Sequence, residues 1–124
     1  MTNHGTGTLT IERVTLAAPR SIKFLGAYIV PVTHNVVGDF DGWPPPPSKL
    51  LPGVMWAQRH RPAGARVRPG ESIDSVVGLK IAAGHAKASD SGQLIYYRDS
   101  SGHQYVTHSQ IRVTLETGHG ACSG

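Results

Sequence analysis

The chain has 124 residues, 39% of them hydrophobic, with a net charge of +4. That is one domain, able to bury roughly two-thirds of its unfolded surface, and too apolar to be disordered throughout. Fifteen glycines and nine prolines leave few windows for a helix of three turns, the charge is too modest for a nucleic-acid binder, and the single cysteine excludes an internal disulfide.

Residues 1–7 are polar and read as a disordered lead-in before a β domain over 8–116, with a flexible Gly-rich tail over 117–124. Thr8 to Leu16 predicts the first strand. Leu9 and Ile11 share one face, Val14 and Leu16 the other, so a bulge near Glu12-Arg13 is needed to put all four in the core. Ile22 to Val32 predicts the second strand, with Leu25, Ala27 and Ile29 in phase and Pro31 marking an edge or an exit. Val36-Val37-Gly38 is a candidate short strand. Asp39 to Gly53, with Pro44 to Pro47 at its centre, predicts a stiff polyproline II crossover, because proline fixes φ and removes a donor. Val54 to Ala57 resumes a strand, and Arg59 to Gly64 is a loop.

Arg68-Pro69-Gly70-Glu71 is a type II turn pattern. Ile73 to Ile81 follows as a strand whose core face is Ile73, Ser75, Val77, Leu79 and Ile81. Ile81 to Ala88 reads as loop. Leu94 to Arg98 and Gln104 to Thr107 predict a hairpin over Asp99-Ser100-Ser101-Gly102. A last strand, Ile111 to Leu115, ends near Glu116. Short β-branched runs at even spacing predict an all-β, immunoglobulin-like antiparallel sandwich of about seven strands. Its expected core is Leu9, Ile11, Val14, Leu16, Leu25, Ile29, Val77, Leu79, Ile95, Val113 and at least one tryptophan.

The stretch Val67-x-Pro69-Gly70-Glu71-x-Ile73-x-x-Val76-Val77-Gly78-Leu79, followed by Ile95-Tyr96-Tyr97-Arg98 and Gly102-x-x-Tyr105, resembles the latter half of immunoglobulin-like bacterial β-sandwich domains. In detail it resembles small uncharacterised actinobacterial proteins with an extracytoplasmic β domain. The resemblance spans residues 8 to 116 and implies a fold and a location, without a catalytic residue. The sequence itself has no apolar run of membrane-spanning length and no apolar leader, so two placements stand: extracytoplasmic as the soluble part of an anchored protein, or cytoplasmic.

The binding candidates are Trp43 and Trp56, which flank the Pro-rich crossover as a stacking platform for a sugar ring or a proline-rich partner, and the basic cluster Arg59, Arg61, Arg66 and Arg68, suited to phosphate or an anionic surface. The plainer readings are tryptophans capping the core and a solvated basic loop. Seven histidines are scattered, and none pair at strand spacings of two or four. His119 and Cys122 are the metal candidates, on a tail with no rigid support. Asp39-Phe40-Asp41-Gly42 is a fragment of a calcium loop lacking further acids nearby. No nucleophile elbow or phosphate loop is present, so no catalytic residue and no cofactor is assigned. The reading is a non-enzymatic binding or structural module recognising a protein or an anionic surface through loops. The alternatives are an accessory subunit docking through an edge strand, a metal-binding domain, and a small enzyme with a fold-assembled site.

Overall fold

The computed structural model describes residues 1–33, 43–44, 55–109 and 112–117. Within them the chain is nearly all β, with eight strands in three antiparallel sheets rather than about seven in two. The strands are β1 (Leu9–Leu16), β2 (Ile22–Val32), β3 (Arg66–Val67), β4 (Ser72–Ile81), β5 (Lys87–Asp90), β6 (Gln93–Arg98), β7 (Gln104–Ser109) and β8 (Val113–Glu116). One sheet has the order β3-β1-β6-β7, a second pairs β2 with β4, and a third pairs β5 with β8.

The architecture is sandwich-like. Ile11 and Val14 of β1, Val67 of β3 and Ile95 of β6 meet Ile29 of β2 and Ile73 of β4 in one buried cluster, joined by Ala65. Burying aliphatic side chains between two facing sheets is the main favourable term, each contributing about 1.5–3 kcal/mol. The bulge expected in β1 is present: the register with β6 shifts between Ile11 and Arg13, which brings Ile11 and Val14 to the same side. The Arg68 C=O accepts from the Glu71 N–H at 3.0 Å, and Gly70 has φ 81°, so the Pro69-Gly70 turn forms as its residues dictate. The β6–β7 hairpin closes over Asp99–Gly102 as expected.

Several expectations are corrected. Residues 1–7 are docked: Asn3 is buried, its Nδ2 donates to the Gly7 and Val67 carbonyls at 2.8 and 2.9 Å, and its Oδ1 accepts from Gly5 N–H. Leu25 is exposed because β2 carries its own bulge between Phe24 and Gly26, which takes Leu25 out of phase with Ala27 and Ile29. Trp56–Gln58 is a single 3-10 turn, where a strand was expected. Lys87–Asp90, whose first two residues fall within the expected loop, is strand β5. Leu16, Leu79 and Val113 are only half-buried. Val36 to Gly38, Val54, Ile111 and the polyproline stretch beyond Pro44 lie outside the described residues, as does the tail beyond Thr117. Among the described residues no helix is long and apolar enough to cross a membrane.

β4 departs from simple alternation in a way that positions the site. Ile73 and Val77 face the core, yet Val76 and Gly78 on the opposite face are buried too. A second cluster covers that face: Val30, Trp56 and Val76, with Tyr28, Val32 and Trp43 packed against them. The β2–β4 ribbon is therefore covered on both sides.

Candidate functional site

The aromatic cluster is built around Tyr28. Its ring stacks on Trp43, with centroids 5.8 Å apart and planes 27° from parallel, and meets Trp56 edge-on at 5.6 Å. Trp43 lies flat on β4 because Gly78 has no side chain; a Cβ there would fall 2.3 Å from the indole ring. Arg59 lies over Trp56 at 4.8 Å and over Tyr28 at 5.3 Å, and its Nη1 donates to the Trp56 carbonyl at 3.2 Å. This guanidinium is spent on covering the aromatic cluster.

Beside the cluster runs a groove of about 440 Å³. Its walls come from the β1 bulge (Glu12, Arg13, Val14), the β2 bulge and the residues after it (Phe24 to Tyr28), Trp43, and the loop Arg61-Pro62-Ala63. The chain itself holds these parts in place. His60 exchanges both backbone hydrogen bonds with Ile29 of β2 at 2.8 Å; four residues on, Gly64 N–H donates to the Ile11 carbonyl of β1, and Ile11 N–H to the Ala65 carbonyl. The segment 61–63 thus spans from one sheet to the other and lines the groove.

The groove is apolar with a cationic rim. Phe24 and Leu25 are 41% and 40% exposed. Arg13 lies 3.9 Å over the Tyr96 ring, and Arg61 is exposed. The only acid lining it among the described residues, Glu12, is already engaged: its carboxylate is 3.6 Å from Arg98 and accepts from Gln104 Nε2 at 3.5 Å. Among the described residues no serine, cysteine, histidine or aspartate lines the groove.

The sequence candidates separate. Trp43 lines the groove, whereas Trp56 is buried edge-on against Tyr28. Arg61 lines it as well, whereas Arg59 is packed on rings. Arg66 sits on β3 opposite Thr10, and Arg68 donates its backbone N–H to the Glu71 carboxylate at 3.0 Å. The four arginines therefore occupy different settings. Phe24, Leu25 and Arg13 were not anticipated, because their role depends on two bulges, of which only the one in β1 left a phase signal. His119, Cys122, Asp39 and Asp41 lie outside the described residues, and among the described ones no group of three His, Cys, Asp or Glu side chains is placed to hold a metal.

A second polar cluster marks the tip of the β6–β7 hairpin. Burial works to raise the Asp99 carboxyl, but the His103 and Ser101 backbone N–H groups and the nearby His103 imidazole together hold it below the ordinary 3.8. The negative charge of Asp99, with partial burial and the hydrogen bond from the Tyr105 hydroxyl, raises the Tyr105 phenol above 10.0. The cluster stiffens the turn.

No family model matches the chain, and no curated protein and no solved structure is significantly similar to it.

Proposed function

We propose that this domain is a non-enzymatic partner-binding module, and that the groove beside Tyr28 and Trp43 receives an apolar side chain flanked by an acidic group of a protein partner. The observation that carries the reading is the exposure of two adjacent large apolar residues, Phe24 and Leu25, on the wall of a preformed groove. A single exposed leucine means nothing, but two beside an aromatic wall form a patch that a partner would desolvate. Arg13 and Arg61 supply the charge preference, since Glu12 is neutralised by Arg98. Among the described lining residues there is no serine, cysteine or histidine, and the one carboxylate, Glu12, is engaged by Arg98 and Gln104, which favours binding over catalysis.

An immunoglobulin-like identity and a location outside the cytoplasm belong to the same proposal. Two antiparallel sheets packed over one core support the first. The second rests on the resemblance of residues 8–116, and fractionation of expressing cells would check it.

The test is selection of a random 12-residue phage-displayed peptide library on the domain. Enriched peptides should carry Asp or Glu within two or three positions of an aromatic or branched aliphatic residue. Their affinity should fall at least tenfold for Leu25→Ser and for the pair Arg13→Gln, Arg61→Gln. A failure to enrich, or binding indifferent to these substitutions, would sink the proposal.

A further inference from the structure

We infer that the outer edge of β7 is a self-association surface, at which a second copy of this chain pairs antiparallel about a two-fold axis through Val106. The argument starts from the direction of backbone groups. Asp99 N–H donates to the His103 carbonyl at 2.9 Å, so these two residues face each other at the hairpin end. Antiparallel alternation then makes Tyr97↔Tyr105 and Ile95↔Thr107 the bonded pairs. The other side of β6 agrees: Ala17 N–H donates to the Gly92 carbonyl, which in the observed register turns Leu94 and Tyr96 toward β1. Gln104, Val106 and His108 consequently direct their N–H and C=O groups outward, and among the described residues no strand meets them.

The other edges carry the devices that block strand addition. β3 has two residues and is followed by Arg68 and Pro69. β2 is bulged at Leu25, contains Pro31 and is capped at Ile29 by His60. β4 is met by Met1 and Thr2 at one end and carries Lys80 at the other. β5 is met by Arg20 and carries Lys87 and Asp90; β8 carries Glu116. β7 has six residues and no Lys, Arg, Asp, Glu, Pro or bulge, and it exposes Tyr105 at 47% and Val106 at 54%.

The occupant is a second copy because the strand is electrically neutral and self-complementary. One antiparallel register engages all three outward residues: Val106 opposite Val106 of the second copy, and Gln104 opposite its His108. No like charges meet, and Tyr105 falls opposite Thr107. A closed two-fold contact of this kind is the commonest form of homo-association. A six-residue edge is smaller than a standard interface, which predicts a weak dimer.

Sedimentation equilibrium of the full chain from about 10 µM to about 1 mM tests this, that range being where weak strand pairing registers. The expected result is a monomer–dimer equilibrium that Val106→Lys weakens at least tenfold, because it sets two ammonium groups opposite each other. Val106 is more than half exposed, so a thermal melt should show the variant folded. In a Cys122→Ser background, Val106→Cys should cross-link under oxidation, since bonded antiparallel pairs have Cα atoms about 5.5 Å apart, within disulfide reach. Gln104→Cys, displaced from the axis, should not. Leu25→Ser should leave the dimer intact, which separates this surface from the groove. A monomer at every concentration, a dimer indifferent to Val106→Lys, or equal cross-linking at the two positions would overturn the inference.

Discussion

Gly78→Ala probes the aromatic cluster directly. The added Cβ would sit 2.3, 2.6 and 2.7 Å from three atoms of the Trp43 ring, against the ~3.5–4.0 Å of ordinary carbon contact. The ring must retreat by more than about 1 Å, losing its fit on β4 and its stacking on Tyr28. Overpacking of this kind costs ~1–3 kcal/mol, of which the aromatic pair accounts for ~0.5–1.5 kcal/mol. Replacing a strand glycine returns ~0.5–1 kcal/mol through lower chain entropy, so the net loss should be ~1–2 kcal/mol. In a Trp43→Ala background the clash is gone, and Gly78→Ala should stabilise the protein by ~0.5–1 kcal/mol. Urea denaturation of the four proteins, followed by circular dichroism, closes the double-mutant cycle with a coupling of ~2 kcal/mol. The wild-type background should also show red-shifted tryptophan emission on Gly78→Ala. A coupling below ~0.5 kcal/mol, the usual limit of additivity, would show that Trp43 does not rest on Gly78 and would dismantle the groove wall with it.

Four further outcomes follow from the packing and the hairpin electrostatics. Leu25→Ala should cost less than ~1 kcal/mol while Ile29→Ala costs ~2–5 kcal/mol, and equal losses in denaturation would mean the β2 bulge is absent. Asn3→Ala should cost ~1–3 kcal/mol by thermal melting, because it leaves buried backbone groups near Gly7 and Val67 unpaired; no change would return residues 1–7 to a disordered lead-in. The Asp99 carboxyl, followed by carbon NMR, should titrate below 3.8, so its contribution to the hairpin is present above that value and lost as pH falls through the lowered one. Asp99→Asn should bring the Tyr105 phenol back down toward 10.0; a Tyr105 titration unmoved by this change would remove the contact.

Much of the fold is local and was readable without the structure. Alternation of β-branched residues marks β2, β4, β6 and β7 because a half-buried pleated strand needs that period. The phase break in Leu9, Ile11, Val14 and Leu16 exposes the β1 bulge, since only an extra residue reconciles the two halves. Pro69-Gly70 and Asp99 to Gly102 carry their turn geometry in their own dihedral preferences.

What the sequence could not determine depends on neighbours distant in the chain. Lys87-Ala88-Ser89-Asp90 has no strand pattern and becomes β5 only because β8 and Arg20 present matching backbone groups. The phase of Leu25, Ala27 and Ile29 predicts a buried leucine, but the β2 bulge is set by pairing with Leu79 and Gly78, and it turns Leu25 to solvent. Burial of Val76 and Gly78 on the face that alternation assigns to water follows from Trp43 and Trp56 folding back over β4. The site has the same origin. Trp43 and Arg61 were visible by type, yet Phe24, Leu25 and Arg13 join them only where two bulges meet across a chain segment that pairs first with one sheet and then with the other. Residue preference is a property of a few neighbours in sequence, whereas a groove is made by the packing of sheets, and that is decided in three dimensions.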